Sequence, residues 1–263
     1  MRRVLSFACE GDALAATLDD APGDTGLLIV SGGNEIRIGA HRGMAKLAAD
    51  IASAGHPVLR FDRRGIGDSE GENHEFESSG PDINSAIRAF LAESPQLRQI
   101  VAFGNCDAAS SLVLHEVVGL KALVLANPWV IERRDEMPTS AAIRARYVER
   151  LKDPKAWAGL FKGAIDLKKL AKGLFRITRH QPQSGLALSV ARGMAAFPGP
   201  VTVLLAARDG TAIAFADEWE KSHFAAARAR TDLSVIRLDS ASHSFASAKD
   251  KATLKTILLN ALA

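Results

Sequence analysis

Three residues have the types and surroundings for covalent chemistry: Cys106, Asp209 and His243. Cys106 lies in Gly104-Asn105-Cys106-Asp107-Ala108, between the apolar run Ile100–Phe103 and a helical stretch from about Asp107. A sharp strand-to-helix turn lifts a nucleophile above a sheet, and small flanking residues permit the crowded backbone. The usual pattern is G-x-S-x-G. Here the nucleophile position is cysteine and the last small residue is alanine. A thiol at a helix N-terminus is helped to ionise, because the helix dipole favours the thiolate. Taken alone, Cys106 reads equally well as a buried core cysteine.

The order of the other two residues decides between these readings. A nucleophile-acid-histidine hydrolase has its residues in that chain order. Asp209 follows the apolar run Val201–Ala206, where a strand-end loop would present a carboxylate. His243 lies in the small-residue loop Ser240–Phe245, after the run Ser234–Leu238 and before the last helical stretch. Each alone is an ordinary turn or surface residue; all three at successive strand ends form a Cys-His-Asp triad. Such a site needs two backbone N–H donors for an oxyanion. One comes from Asp107, after the nucleophile. The other comes from Ser31-Gly32-Gly33-Asn34, where paired glycines let the backbone approach substrate; Gly33 is the first choice and Asn34 the second. His41 and Arg42, opening a helix near that loop, and Trp129 are candidate substrate contacts.

Other chemistries fit less well. The run Phe61–Ser69 contains Gly65-x-Gly67, but the next glycine, Gly71, is one position late for a dinucleotide loop and no helix starts there. There is no GxxxxGK[ST], and no CxxC or HExxH cluster for zinc. No cofactor and no metal are expected.

These residues need a frame. Apolar runs alternate with amphipathic stretches, the pattern of βα units around a mostly parallel sheet. Strands are predicted near 3–8, 12–18, 27–30, 58–61, 100–103, 122–125, 201–205 and 234–238. The first two form a hairpin through Glu10-Gly11-Asp12. Helices are predicted over 41–54, 82–92, 107–118, from after 205 through about 226, and over 249–262. Between 129 and 196 no strand pattern occurs, so the expected organisation is a core of 1–128 and 197–263 with a helical cap insertion at 129–196.

The 263 residues suffice for one large domain, and 47% hydrophobic with 24% charged residues is ordinary globular composition. Net charge is +3, unevenly spread. Residues 133–192 carry 14 Lys/Arg against 5 Asp/Glu; the rest carries 19 against 25. A basic insert on an acidic body would steer an anionic substrate. No apolar run approaches a membrane span, and the stretch after Met1-Arg2-Arg3 stops at Glu10, too short for a signal peptide. The expectation is a cytoplasmic chain with Cys9 and Cys106 as free thiols.

The chain resembles the α/β-hydrolase superfamily through Gly32-Gly33, the Asp62–Ser69 pattern, the Gly104–Ala108 elbow, Asp209 and His243. More narrowly, Gly32–Arg42 and Leu59–Gly71 look like the exosortase-A-associated hydrolases of type one. A cysteine at the elbow is similar to dienelactone hydrolases and polyhydroxyalkanoate synthases. The resemblance implies an α/β-hydrolase fold with an eight-stranded, mostly parallel sheet and a cap. It also implies an esterase, thioesterase or acyltransferase working through an acyl-cysteine. The expected partner is a small-molecule acyl substrate, anionic or coenzyme A linked, with no nucleic acid and no stable membrane insertion; a homodimer is compatible. The alternative is a non-catalytic binding module of an export or exopolysaccharide system on the same fold.

Overall fold

A computed structural model of the chain describes residues 1–115, 117–132 and 185–263. Eight strands form one sheet in the order β1-β2-β4-β3-β5-β6-β7-β8. They are β1 (Arg2–Cys9), β2 (Asp12–Asp19), β3 (Thr25–Val30), β4 (Val58–Phe61), β5 (Gln99–Asn105), β6 (Leu120–Ala126), β7 (Val201–Ala206) and β8 (Leu233–Leu238). The hairpin β1–β2 is antiparallel, and β2 meets β4 antiparallel; every later pairing is parallel. Its turn puts Glu10 and Gly11 at positive φ, where a two-residue hairpin turn needs them. β3 and β4 are buried throughout, as continuous apolar runs covered on both faces should be. Edge strand β1 alternates between exposed and half-buried residues.

Among the described residues the longer helices are α1 (Gly43–Ser53), α2 (Gly80–Glu93), α3 (Asp107–Leu114), α4 (Gly185–Ala196), α5 (Gly210–Trp219) and α6 (Ala248–Leu262). Two apolar clusters bracket the sheet. One joins α2, α3, α4 and α5 to it through Phe90, Leu112, Val190, Met194 and Phe215. The other joins α1 and α6 through Leu47, Ile51, Leu254 and Leu258.

Two predicted boundaries move. The helix expected over 107–118 ends at Leu114, because the chain extends at His115 and turns at Gly119, φ 87°, before β6. The single helix expected through 226 breaks after Trp219 into the turn Ser222–Phe224 and the short helix Ala225–Arg228. Phe215, Trp219 and Phe224 then pack together, with ring centroids 5.4–5.8 Å apart: Phe215 stacks on Trp219 and meets Phe224 edge-on. Within the expected insert, 129–196, Val130 and helix α4 are buried in the first apolar cluster. Residues 133–184, most of the basic stretch at 133–192 and of the cap expected at 129–196, lie outside the described residues. Among the described residues no helix is long and apolar enough to cross a membrane.

Candidate active site

The parallel strands bring Cys106, Asp209 and His243 to one edge of the sheet, because each follows the C-terminal end of β5, β7 or β8. Cys106 is the residue before α3 and has φ 62° and ψ −127°, a conformation disfavoured for any residue with a Cβ. Its N–H donates to the Ala126 carbonyl at 2.9 Å, which ties the turn to β6. The turn is tight enough that a Cβ on Gly104 would stand 2.7 Å from the Ala108 carbonyl. Only glycine lets β5 run this close to the helix that follows.

Asp209 is the N-cap of α5. Its Oδ2 accepts from the N–H groups of Thr211 at 3.0 Å and Ala212 at 3.1 Å, two of the donors a helix start leaves open. The same oxygen lies 3.1 Å from His243 Nδ1. The cap orients the carboxylate, and the carboxylate fixes the ring. Burial pushes Asp209 up, but the His243 bond and the two backbone donors outweigh it and hold the group below its ordinary 3.8. His243 is pushed up to about 10, first by its hydrogen bond to Asp209 and then by its hydrogen bond to Cys106, against burial. The imidazole therefore stands between an acid and a sulfur and holds its proton through neutral pH.

Two amides support the histidine. Asn105 Nδ2 and Asn127 Nδ2 each donate to the His243 carbonyl at 3.2 Å, and Asn127 Nδ2 also reaches Asn105 Oδ1 at 3.1 Å. Asn127 Oδ1 accepts from Ala206 N–H at 2.8 Å. Residues at the ends of β5, β6 and β7 are thus linked beneath the His243 loop. The sequence offered a signal for neither asparagine except its place at a strand end.

The loop after β3 differs from expectation in one respect. Gly33 N–H, expected to be a free oxyanion donor, is donated to Asp107 Oδ1 at 2.6 Å. The other expected donor, Asp107 N–H, is at the first position of α3 and has no intrahelical partner. Asn34 shares the turn closed by Glu35 N–H on Gly32 O, and its side-chain oxygen accepts from Asn73. Arg63, buried behind this loop, donates to the Gly33 carbonyl. Burial pushes its guanidinium down, while Asp107 and Asp82 pull it up. Further along, Arg37 pairs with Asp62, which is fully buried, and Asp62 also accepts from Asp68 N–H. The Asp62–Ser69 run, which no sequence signal tied to the oxyanion loop, is what holds it.

Of the candidate substrate contacts, Trp129 sits beside the elbow. Its N–H donates to the Cys106 carbonyl at 3.2 Å, and its own carbonyl accepts from Ser110 Oγ. His41 and Arg42 are exposed, at φ 52° and 60°, in a turn before α1. Neither bonds to Cys106, Asp209 or His243. The second cysteine, Cys9, is buried against Asp82, and burial pushes its thiol up, away from nucleophilic use. No group of three or more His, Cys, Asp or Glu among the described residues is arranged to hold a metal ion.

Solved structures share this frame at low identity. The Pyrococcus furiosus esterase Pf2001 superposes with a TM-score of 0.68 at 15% identity, covering 100% of this chain and 94% of its own. The α/β hydrolase GrgF from Penicillium sp. sh18 gives 0.66 at 16%, covering 100% and 98%. The thioesterase domain from the curacin biosynthetic pathway gives 0.59 at 12%, covering 99% of each. No curated protein matches the chain. The model of the alpha/beta hydrolase family matches residues 27–254. That match runs from the strand beneath Gly33 into the helix beyond His243, and the chain belongs to this family.

Proposed function

We propose that the protein cleaves or transfers an acyl group from an ester or thioester, through an acyl-cysteine on Cys106. The observation that carries this reading is the relay at the strand ends: Asp209 bonded to His243, His243 beside Cys106, and Cys106 on a strained elbow. Cys106 Sγ attacks the carbonyl carbon and an S–C bond forms. The carbonyl oxygen becomes an oxyanion facing the N–H groups of Asp107 and Gly33. Collapse breaks the bond to the leaving group, which takes the proton from His243. Water, a thiol or an amine then gives its proton to His243 as it attacks the thioester, and Cys106 leaves as thiolate. Asp209 keeps the ring in the required tautomer and offsets its charge.

Substrate class follows from two further features. The family's esterase and thioesterase structures support ester chemistry, and a thioester intermediate accepts amines and thiols readily. The basic balance of residues 133–192 favours an acyl donor with a carboxylate, phosphate or coenzyme A end. The sequence resemblance to exosortase-A-associated hydrolases sets the biological setting to examine. The test is intact-protein mass after brief exposure to p-nitrophenyl esters and acyl-coenzyme A thioesters. An added mass equal to the acyl group, absent in Cys106→Ala, is the expected result. No adduct and no p-nitrophenol from any donor would overturn it and favour a binding role for the fold.

A further inference from the structure

The acyl-cysteine reading needs the Gly33 N–H, and a carboxylate already holds it. Asp107 Oδ1 stands 2.6 Å from Gly33 N, on a residue only 9% exposed and next in sequence to the nucleophile. An oxyanion and a carboxylate cannot share one donor without strong repulsion. A neutral carbonyl oxygen is the weaker acceptor and leaves the carboxylate in place; a developing oxyanion competes with it on equal terms.

The surroundings make this a built arrangement. Gly33 is held from both sides, by Asp107 at its N–H and by Arg63 at its C=O. Arg63 is 5% exposed and lies within the electrostatic reach of Asp107, so a cation stands ready for the carboxylate if it turns away. Gly32 leaves room for it, since a Cβ there would stand 2.8 Å from Asp107 Oδ1. Beyond Gly33, the pairing of Arg37 with Asp62 fixes the rest of the loop. Exchange at the Gly33 N–H therefore needs movement of one side chain, not of the loop.

We propose that Asp107 is a positioning residue that gates the oxyanion hole. In the resting enzyme its carboxylate holds the Gly33 N–H; in the transition state it yields that N–H to the substrate oxygen and turns toward Arg63. The proposal rests on the acyl-cysteine reading of Cys106. Gating acts at the chemical step, so its signature is in kcat and in the binding of transition-state mimics, with KM little changed.

The probe is hexyl trifluoromethyl ketone, which a thiolate converts to a thiohemiketal whose oxygen occupies the oxyanion position. Its inhibition constant is measured on wild type, Asp107→Asn and Asp107→Ala, beside kcat and KM for a p-nitrophenyl ester. Asp107→Asn exchanges a charged acceptor for a neutral one, and the ketone should bind about tenfold tighter, with kcat raised and KM within about twofold. Asp107→Ala, with no acceptor, should bind it at least as tightly. Arg63→Gln should weaken the ketone in the wild-type background and not in Asp107→Asn. Melting temperature and iodoacetamide labelling of Cys106 confirm that each variant is folded with its thiol accessible. Unchanged or weaker ketone binding in folded, labelled Asp107 variants overturns the gate. A wild type that takes up neither ketone nor acyl group, yet is labelled by iodoacetamide, overturns the acyl-cysteine reading itself, and the gate with it.

Discussion

Cys106 is held at φ 62° and ψ −127° by its bond to Ala126 and by the helix that starts at Asp107. Strain of this kind persists where surrounding structure enforces it, and costs about 1–3 kcal/mol. Glycine adopts the same backbone freely. Cys106→Gly should therefore be more stable than Cys106→Ala by about 1 kcal/mol in urea unfolding, and equally inactive. Asp209→Asn keeps the residue's shape but removes the charge that orients His243. We expect kcat to fall on the order of 10⁴-fold, with the circular dichroism spectrum unchanged. The histidine also sets a pH dependence. Its folded value of about 10 lies above its ordinary 6.5, so the stability it contributes is full below 6.5 and is lost as pH rises through about 10. Asp209 lies below its ordinary 3.8, so its contribution is present above that value and is lost as pH falls through the lower folded value. The urea midpoint of the wild type should fall between about pH 7 and pH 10, more steeply than that of His243→Ala. The side chain of His243 is 40% exposed, and solvent screening keeps the effect small.

Among the elements, the elbow and the loop after β3 carry the site. Gly104→Val would drive side-chain atoms into the backbone of α3, and we expect a loss of about 2 kcal/mol or more together with the acyl transfer proposed for Cys106. Asp62→Ala would remove the buried partner of Arg37, which keeps Asp68 and Thr17, and we expect a loss of about 1–3 kcal/mol. Hydrogen exchange should quicken first over residues 33–39. The strand ends that carry Cys106, Asp209 and His243 were legible because apolar runs stop sharply there at small or polar residues. The contacts that tune them were not. Gly33 and Asp107 are 74 positions apart, as are no two residues of a local motif, and Asn127 reaches His243 across 116. Only the strand order 4-3-5-6-7-8 brings them together. The end of α3 was misread for a local reason: Val117 and Val118 continue the apolar spacing, but the turn at Gly119 must feed β6.

At the scale of the molecule, charge and chain path matter more than single contacts. If the basic stretch attracts an anionic acyl donor, kcat/KM for acyl-coenzyme A should fall several-fold between about 0.05 and 0.5 M salt, while that for a neutral ester should not. The path of the chain has a second consequence. Gly185 N–H donates to Glu132 Oε1 at 2.6 Å, so the two ends of the described chain meet there through a hydrogen bond. Both sides of this bond are anchored in the apolar cluster, by Val130 and by α4, so a chain with residues 133–184 replaced by a short glycine-serine bridge should still unfold cooperatively in urea.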